Sequence, residues 1–376
     1  MREKLFDVNY LKHLCQKYGF VPSKKYGQNF LISPEPIEKM IEAAEISNED
    51  VVVEVGPGFG ALTFALAEKA KRVIAFEIEK KIKPYWDSLL SCHSERAIAG
   101  DEESLSQIER TEILRSAQDD KHKYKNDNIE IVWGNVLKSL RGEIPRFARD
   151  KLRNPLDRHA EFIPPEAGLA MTGNYKVVAN LPYQITSEAI RKFLEAEQKP
   201  ELMVFMVQKE VAERICAKPG DMSVLSVSVQ YYADPEIAAY VSRSYFWPEP
   251  AVDSAVIKLS LRPRACRSVS SFVIPTTKEE SLSGYSKRYG QRSLVVPTWS
   301  GLARDDSRCD DSDFFKIVKT GFANRRKFLI KNLQSIIGKQ NREKLKRIFI
   351  EIGLDEKVRA QELSVEQWKE LNKRLA

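Results

Sequence analysis

Asn180-Leu181-Pro182-Tyr183 brings together groups that can handle the exocyclic amine of a nucleobase. An Asn side-chain carbonyl and the backbone carbonyl after it can both accept hydrogen bonds from such an amine. A tyrosine ring can stack on the base that carries it. Pro182 stiffens the turn that holds these acceptors side by side. An aromatic amine is a poor nucleophile because its lone pair is delocalised into the ring. Two acceptors favour a pyramidal nitrogen, and alignment is the main help a protein can give. The run therefore suits N-methylation of a base amine, provided that a methyl donor binds nearby. The competing readings are a helix-capping turn residue for Asn180 and ordinary core packing for Tyr183.

The neighbouring residues predict how the turn is held. Tyr175 to Ala179 is an apolar strand, and Ile185 to Leu194 has helical spacing. A strand-to-helix junction is where α/β sheets place ligands. A donor site is legible upstream. Val51 to Val55 reads as a buried strand entering the glycine-rich turn Gly56-Pro57-Gly58-Phe59-Gly60, and Ala61 to Ala70 reads as a helix. Arg72 to Phe76 is a second strand, and Glu77 stands at its end. Glycines let backbone approach a ligand closely, and an acid at that strand end can bind ribose hydroxyls. A nicotinamide enzyme would show the same outline. The Asn180 turn tips the choice to S-adenosylmethionine.

Six motifs in this order resemble the ribosomal RNA adenine dimethyltransferases. They are Lys24-Lys25-Tyr26-Gly27-Gln28-Asn29-Phe30-Leu31, Glu54 to Gly58, Asn180 to Tyr183, Gln208 to Ile215, Phe246 to Val256 and Phe322 to Lys327. The resemblance implies a class I S-adenosylmethionine-dependent methyltransferase: an α/β, Rossmann-like fold with a seven-stranded sheet and a small C-terminal helical domain. It implies transfer of four methyl groups to two adjacent adenines near the 3′ end of small-subunit (16S) rRNA. It also implies that Asn29 and Leu31 meet the amino-acid end of the cofactor, that Gly56 lies under it and that Glu77 holds its ribose. Gly58 and Asn180 complete that site, and Phe246 closes over the second face of the target base. The family usually has Asp where this chain has Asn135, which keeps a carbonyl acceptor for the cofactor adenine but lacks the charge. The family's Pro-Pro-Pro-Lys run reads Pro248-Glu249-Pro250-Ala251 here, without its basic residue. Lys24, Lys25, Arg325, Arg326, Lys327 and Lys331 stand near family motifs as candidate phosphate contacts. For each of them the competing reading is a solvated helix face.

Three stretches, roughly 90–127, 139–173 and 264–312, interrupt the family pattern. Two share words: Glu102-Glu103-Ser104-Leu105-Ser106 recurs as Glu279-Glu280-Ser281-Leu282-Ser283. One explanation is a repeated genomic element read in frame. Their composition predicts exposed, irregular segments, and long loop insertions cost little closure entropy. Without them about 255 residues remain, enough for one α/β domain and a small helical one. The expected division is a methyltransferase domain over 1–262, the interrupting stretch over 264–312 and a helical domain over 313–376.

Composition bounds the partners. Hydrophobic residues make up 43% of the chain, and the formal charge is +7. The charge permits a nucleic-acid partner. No apolar run reaches the roughly 18 residues of a membrane span, and charged residues stand where a signal peptide needs its apolar stretch. A cytoplasmic monomer is the expectation. No Cys-x-x-Cys pattern occurs, and of the four histidines only His13 lies outside the three stretches, so no metal site is expected. Two other functions fit the same motifs: a large-subunit rRNA methyltransferase conferring macrolide resistance, and a non-catalytic small-subunit assembly factor.

Overall fold

The computed structural model describes residues 2–23, 27–90, 128–139, 175–196, 198–262, 309–338 and 341–375. The three interrupting stretches lie almost wholly outside these residues, as do Lys24 and Lys25. The strands are β1 (Phe30–Leu31), β2 (Val51–Val55), β3 (Arg72–Glu77), β4 (Ile129–Trp133), β5 (Lys176–Asn180), β6 (Leu202–Gln208), β7 (Ala233–Val241), β8 (Phe246–Trp247) and β9 (Ser254–Leu261). The helices are α1 (Val8–Lys17), α2 (Glu35–Ala44), α3 (Ala61–Ala67), α4 (Lys83–Leu90), α5 (Val136–Ser139), α6 (Thr186–Glu195), α7 (Lys209–Ile215), α8 (Val224–Tyr232), α9 (Cys309–Gly321), α10 (Leu329–Ile337), α11 (Arg342–Glu351) and α12 (Val365–Leu375).

Seven strands form one sheet in the order β4-β3-β2-β5-β6-β9-β7. The first five are parallel, and β9 runs antiparallel between β6 and β7. This is the seven-stranded α/β sheet that the motifs imply. The inner strands β2 and β6 are near-continuous apolar runs because helices cover both faces of a parallel sheet. The edge strand β7 instead alternates exposed and half-buried positions between its buried ends and tolerates Pro235. The chain winds from β2 to β3 and β4 on one side, then returns to β5 on the other. The carboxyl ends of β2 and β5 therefore flank a topological switch point, where open α/β sheets bind ligands.

Helix α2 buries Ile37, Met40, Ile41 and Ala44 against the sheet, a spacing that places all four on one face. β1 and β8 pair outside the main sheet, with Phe30 opposite Trp247 and Leu31 opposite Phe246. The four C-terminal helices share one apolar cluster around the fully buried Trp368, which also takes in Met222 and Val227 near the start of α8. Gly338 and Gly353, at φ 86° and 72°, follow α10 and α11 and end them. No helix among the described residues is long and apolar enough to cross a membrane.

Candidate active site

The glycine turn after β2 makes the floor of the site. Gly56, Gly58 and Gly60 all have positive φ, at 74°, 55° and 94°. A Cβ on Gly56 would meet no atom within 4 Å, so this face of the turn is open. The far side is closed. The indole Nε1 of Trp86 donates to the Gly58 carbonyl at 2.9 Å, and the Tyr85 hydroxyl donates to the Phe59 carbonyl at 2.7 Å. Both residues come from α4 and are fully buried. A Cβ on Gly60 would lie 2.9 Å from the Trp86 ring, so only glycine lets the turn sit this close to α4. Tyr85 and Trp86 belong to none of the motifs, and sequence reading missed them. Two adjacent large aromatics at the amphipathic start of a helix were the available signal.

Glu77 ends β3 with its carboxylate directed back to this turn. One oxygen accepts from the Gly58 N–H at 3.1 Å, and the other from the Ile78 and Glu79 N–H groups. Burial pushes its pKa up, while these three donors pull it down. A carboxylate has about four lone-pair positions, so one oxygen keeps room for a ligand hydroxyl. Glu54, on β2 beneath the turn, is 1% exposed, and burial raises its pKa to about 8. Burial therefore favours its neutral form.

Asn135 follows β4, as expected, but its side-chain oxygen accepts from the Leu137 N–H at 2.9 Å. It caps the short helix α5, a common use of Asn at a helix start. The carbonyl expected to face the cofactor adenine already has this partner.

Asn180 is the last residue of β5 and is half-buried. Its Nδ2 donates to the Asn29 carbonyl in a long bond of 3.5 Å. That contact turns Oδ1 the other way and leaves it as an acceptor. The next N–H, on Leu181, donates to the Met206 carbonyl at 3.3 Å and ties the turn to β6. Pro182 accepts from the Ile185 N–H at 3.1 Å and so begins α6. Tyr183 is half-buried, and its hydroxyl lies 2.8 Å from the hydroxyl of the fully buried Ser254 on β9. Burial raises the Tyr183 pKa, the Ser254 contact opposes this, and nearby Asp253 adds to it.

The N-terminal signature joins the two halves. A Cβ on Gly27 would lie 3.2 Å from the Tyr183 backbone nitrogen and 2.7 Å from the Gln184 side chain. Phe30 stacks on Phe59 at 5.2 Å, and a Cβ on Gly58 would lie 3.2 Å from the Phe30 ring. One segment thus touches the glycine floor, the Asn180 turn and, through β1–β8 pairing, the Phe246 strand. Asn29, Leu31, Gly56, Gly58, Glu77 and Asn180 stand at this shared rim or in the segment that spans it.

Phe246 is placed differently from the reading of it as a stacking face. Its pairing opposite Leu31 turns the ring into the core, 3% exposed, among residues of α2 and the sheet. Trp247 beside it is half-buried and lies parallel to Phe30 at 6.4 Å. Arg325, Arg326 and Lys327 are exposed on the turn between α9 and α10, away from this rim in the chain.

The residues present fit S-adenosylmethionine. The open face of Gly56, the remaining acceptor of Glu77 and the free Asn180 oxygen line the switch point between β2 and β5. The sequence profile of the "Ribosomal RNA adenine dimethylase" family matches residues 20–273. The ribosomal RNA small subunit methyltransferase A of Geobacillus kaustophilus is 32% identical over 369 residues, covering 97% of this chain and 94% of that protein. The protein of the same name from Bacillus mycoides is 31% identical over 371 residues, covering 98% and 96%. Among solved structures, a dimethyladenosine transferase from Plasmodium falciparum superposes with a TM-score of 0.54 at 20% identity, covering 92% of this chain and 98% of that one. The 23S rRNA methyltransferase ErmE superposes with a TM-score of 0.52 at 22% identity, covering 92% and 99%. These two likenesses establish the fold, that of a class I methyltransferase with C-terminal helices. The family profile and the near full-length relatives, on the same motifs that build this rim, place the chain in the ribosomal RNA adenine dimethylase family.

Proposed function

We propose that this chain dimethylates the N6 amines of two adjacent adenines near the 3′ end of small-subunit rRNA, with S-adenosylmethionine as donor. The observation that carries the reading is the orientation of Asn180. Its amide nitrogen meets the Asn29 carbonyl in a long bond of 3.5 Å, and its oxygen, at the end of β5, takes no hydrogen bond among the described residues.

S-adenosylmethionine supplies an already activated sulfonium methyl. The chain supplies binding and alignment. Glu77 would hold the ribose hydroxyls, Asn29 and Leu31 would meet the amino-acid end, Gly56 would lie under it, and Gly58 would shape the turn. Asn135 lies on the adenine side with a weakened acceptor. Asn180 Oδ1 and the Leu181 carbonyl would accept the amine hydrogens, two before the first methylation and one before the second, orient the nitrogen lone pair and stabilise the positive charge that develops on it, the surplus proton passing to solvent. Tyr183, anchored through Ser254, offers a ring for the base. Phe246 can serve as a second stacking face only by leaving its core packing, so in the conformation described it supports β1 instead. Lys24, Lys25, Arg325, Arg326 and Lys327 contact rRNA phosphates. The substrate is the immature small subunit, and the chain works as a cytoplasmic monomer.

The test is transfer of labelled methyl from S-adenosylmethionine to undermethylated small subunits, with mapping of the modified bases. N6-dimethyladenosine at the paired 3′-terminal adenines is the expected product. Label in large-subunit rRNA, or subunit binding without transfer, would overturn the reading.

A further inference from the structure

Tyr183 and Ser254 form an isolated hydroxyl pair behind the acceptor turn. Their oxygens lie 2.8 Å apart, and among the described residues neither hydroxyl has another hydrogen-bond partner. Tyr183 stands on the turn after β5 with its ring half-buried. Ser254 is fully buried at the start of β9, where it pairs with Gln208 on β6 and Val241 on β7. The residue before it is fixed from both sides. The Asp253 carbonyl accepts from the Lys209 N–H at 3.0 Å, and the Asp253 carboxylate accepts from the Arg243 N–H at 3.0 Å. Ser254 is thus a fixed point in the sheet for a ring 71 residues away in the chain.

A phenol ring on a turn can swing about its two side-chain torsions, and a hydrogen bond at its far end removes much of that freedom. The backbone end of Tyr183 is held as well, because the 27–31 segment passes close to its nitrogen: a Cβ on Gly27 would lie 3.2 Å away. Both ends of the residue are therefore constrained, and the ring faces stay available to a base.

Each methyl transfer breaks the sulfonium S–C bond and leaves its electron pair on sulfur. The amine lone pair forms the new N–C bond, and one amine proton passes to solvent. Before the first transfer the amine has two hydrogens for Asn180 Oδ1 and the Leu181 carbonyl. Before the second it has one. Stacking on Tyr183 does not depend on those hydrogens, so it is undiminished when the second methyl arrives. The second transfer therefore leans more on the stack than the first. We propose that Ser254 is a positioning residue that, by fixing the Tyr183 ring, sets how efficiently N6-methyladenosine goes on to N6,N6-dimethyladenosine. The inference rests on the dimethylation reading above and deepens it, by naming a residue that governs the number of methyl groups per base.

The experiment follows both products in undermethylated small subunits, by mass spectrometry of digested rRNA, through a time course at saturating S-adenosylmethionine. Ser254→Ala should slow the first transfer by less than about threefold and the second by about tenfold, on the order of one hydrogen bond, so that the monomethyl product accumulates. Tyr183→Phe keeps the ring and loses the same bond, so it should give the same product ratio, and it carries the test if Ser254→Ala does not fold. The double variant should be no worse than either single one, because both remove one shared contact. Ser254→Thr keeps the hydroxyl and should return the ratio towards that of wild type. A wild-type ratio in the two single variants, equal slowing of both transfers, or additive losses in the double variant would overturn the proposal while leaving the functional reading intact. Wild type that transfers no methyl would overturn the functional reading and this inference with it.

Discussion

The donor floor and the acceptor turn stand on neighbouring strands, β2 and β5, and are built on opposite terms. The floor satisfies its own polar groups: Trp86 and Tyr85 hold the carbonyls of Gly58 and Phe59, and Glu77 takes the Gly58 N–H. Its shape is set before any ligand arrives, and only the Gly56 face stays open. The acceptor turn is left incomplete. Asn180 uses its nitrogen on Asn29 and keeps its oxygen, and Tyr183 is held at its hydroxyl while its ring stays half-buried. A floor that binds a cofactor gains from rigidity. A turn that aligns an amine needs acceptors that nothing else has claimed.

Damage on the two sides therefore reads out in different constants. The largest effect belongs to the turn. Asn180→Ala should lower kcat by about 10²–10³-fold, the usual cost of removing one preorganised polar partner of the reacting group. Single-turnover transfer measures it. On the floor, Trp86→Phe keeps an aromatic ring but strips the Gly58 carbonyl of its donor. A buried acceptor left unpaired costs about 1–3 kcal/mol, so the S-adenosylmethionine Kd, read by calorimetry, should rise about tenfold while kcat changes little. A kcat loss as large as that of Asn180→Ala would break the comparison.

Gly27→Ala sharpens the hinge between the halves. Its Cβ would press on the Tyr183 backbone nitrogen, and φ of 61° is strained for any residue but glycine. Transfer should slow by about fivefold to tenfold, equivalent to about 1 kcal/mol, with the cofactor Kd nearly unchanged. Asn135→Asp should act on the floor alone and in the favourable direction. Aspartate has a second oxygen, so one can cap α5 while the other faces the cofactor. Kd should fall by about fivefold, close to 1 kcal/mol for a charged in place of a neutral acceptor.

Glu54→Gln is expected to have the smallest effect on transfer and to act on stability and its pH dependence instead. Burial raises the folded carboxyl to about 8, well above the ordinary glutamate value of 4.5. Between those values the native state binds a proton that the unfolded chain has released, so this group makes stability fall as pH rises through the window. Glu54→Gln removes the titration. Thermal melts should show the variant close to wild type near pH 5, and wild type losing more stability than the variant by pH 9. Parallel melting curves at both pH values would show that Glu54 ionises freely.

The parts of this site that sequence revealed are those encoded locally. Glu54 to Gly60, Glu77 and Asn180 to Tyr183 are each a strand end with its own turn, and spacing alone fixes their relation to one strand. The parts that stayed hidden are contacts between segments far apart in the chain. Nothing near Gly58 announces Trp86 behind it, nothing near Tyr183 points to Ser254, and Gly27 shows its purpose only once β1 lies across the turn. Phe246 illustrates the same limit: its motif context suggested a stacking ring, while pairing with Leu31 sends it inward. Asn135 was legible as a side-chain acceptor after β4, but its cap on α5 was not, because that contact depends on where the helix begins. The strand boundaries agreed within about one residue because burial on both faces leaves an apolar run little freedom, whereas α3 ended at Ala67 rather than Ala70.

The most direct measurement follows wild type and Asn180→Ala in the same samples, titrating S-adenosylmethionine affinity and small-subunit affinity alongside single-turnover methyl transfer. The account predicts that both affinities stay within a few-fold of wild type while formation of dimethyladenosine collapses. Transfer surviving near the wild-type rate in Asn180→Ala would contradict it, because the free acceptor at the end of β5 would then not be what aligns the amine.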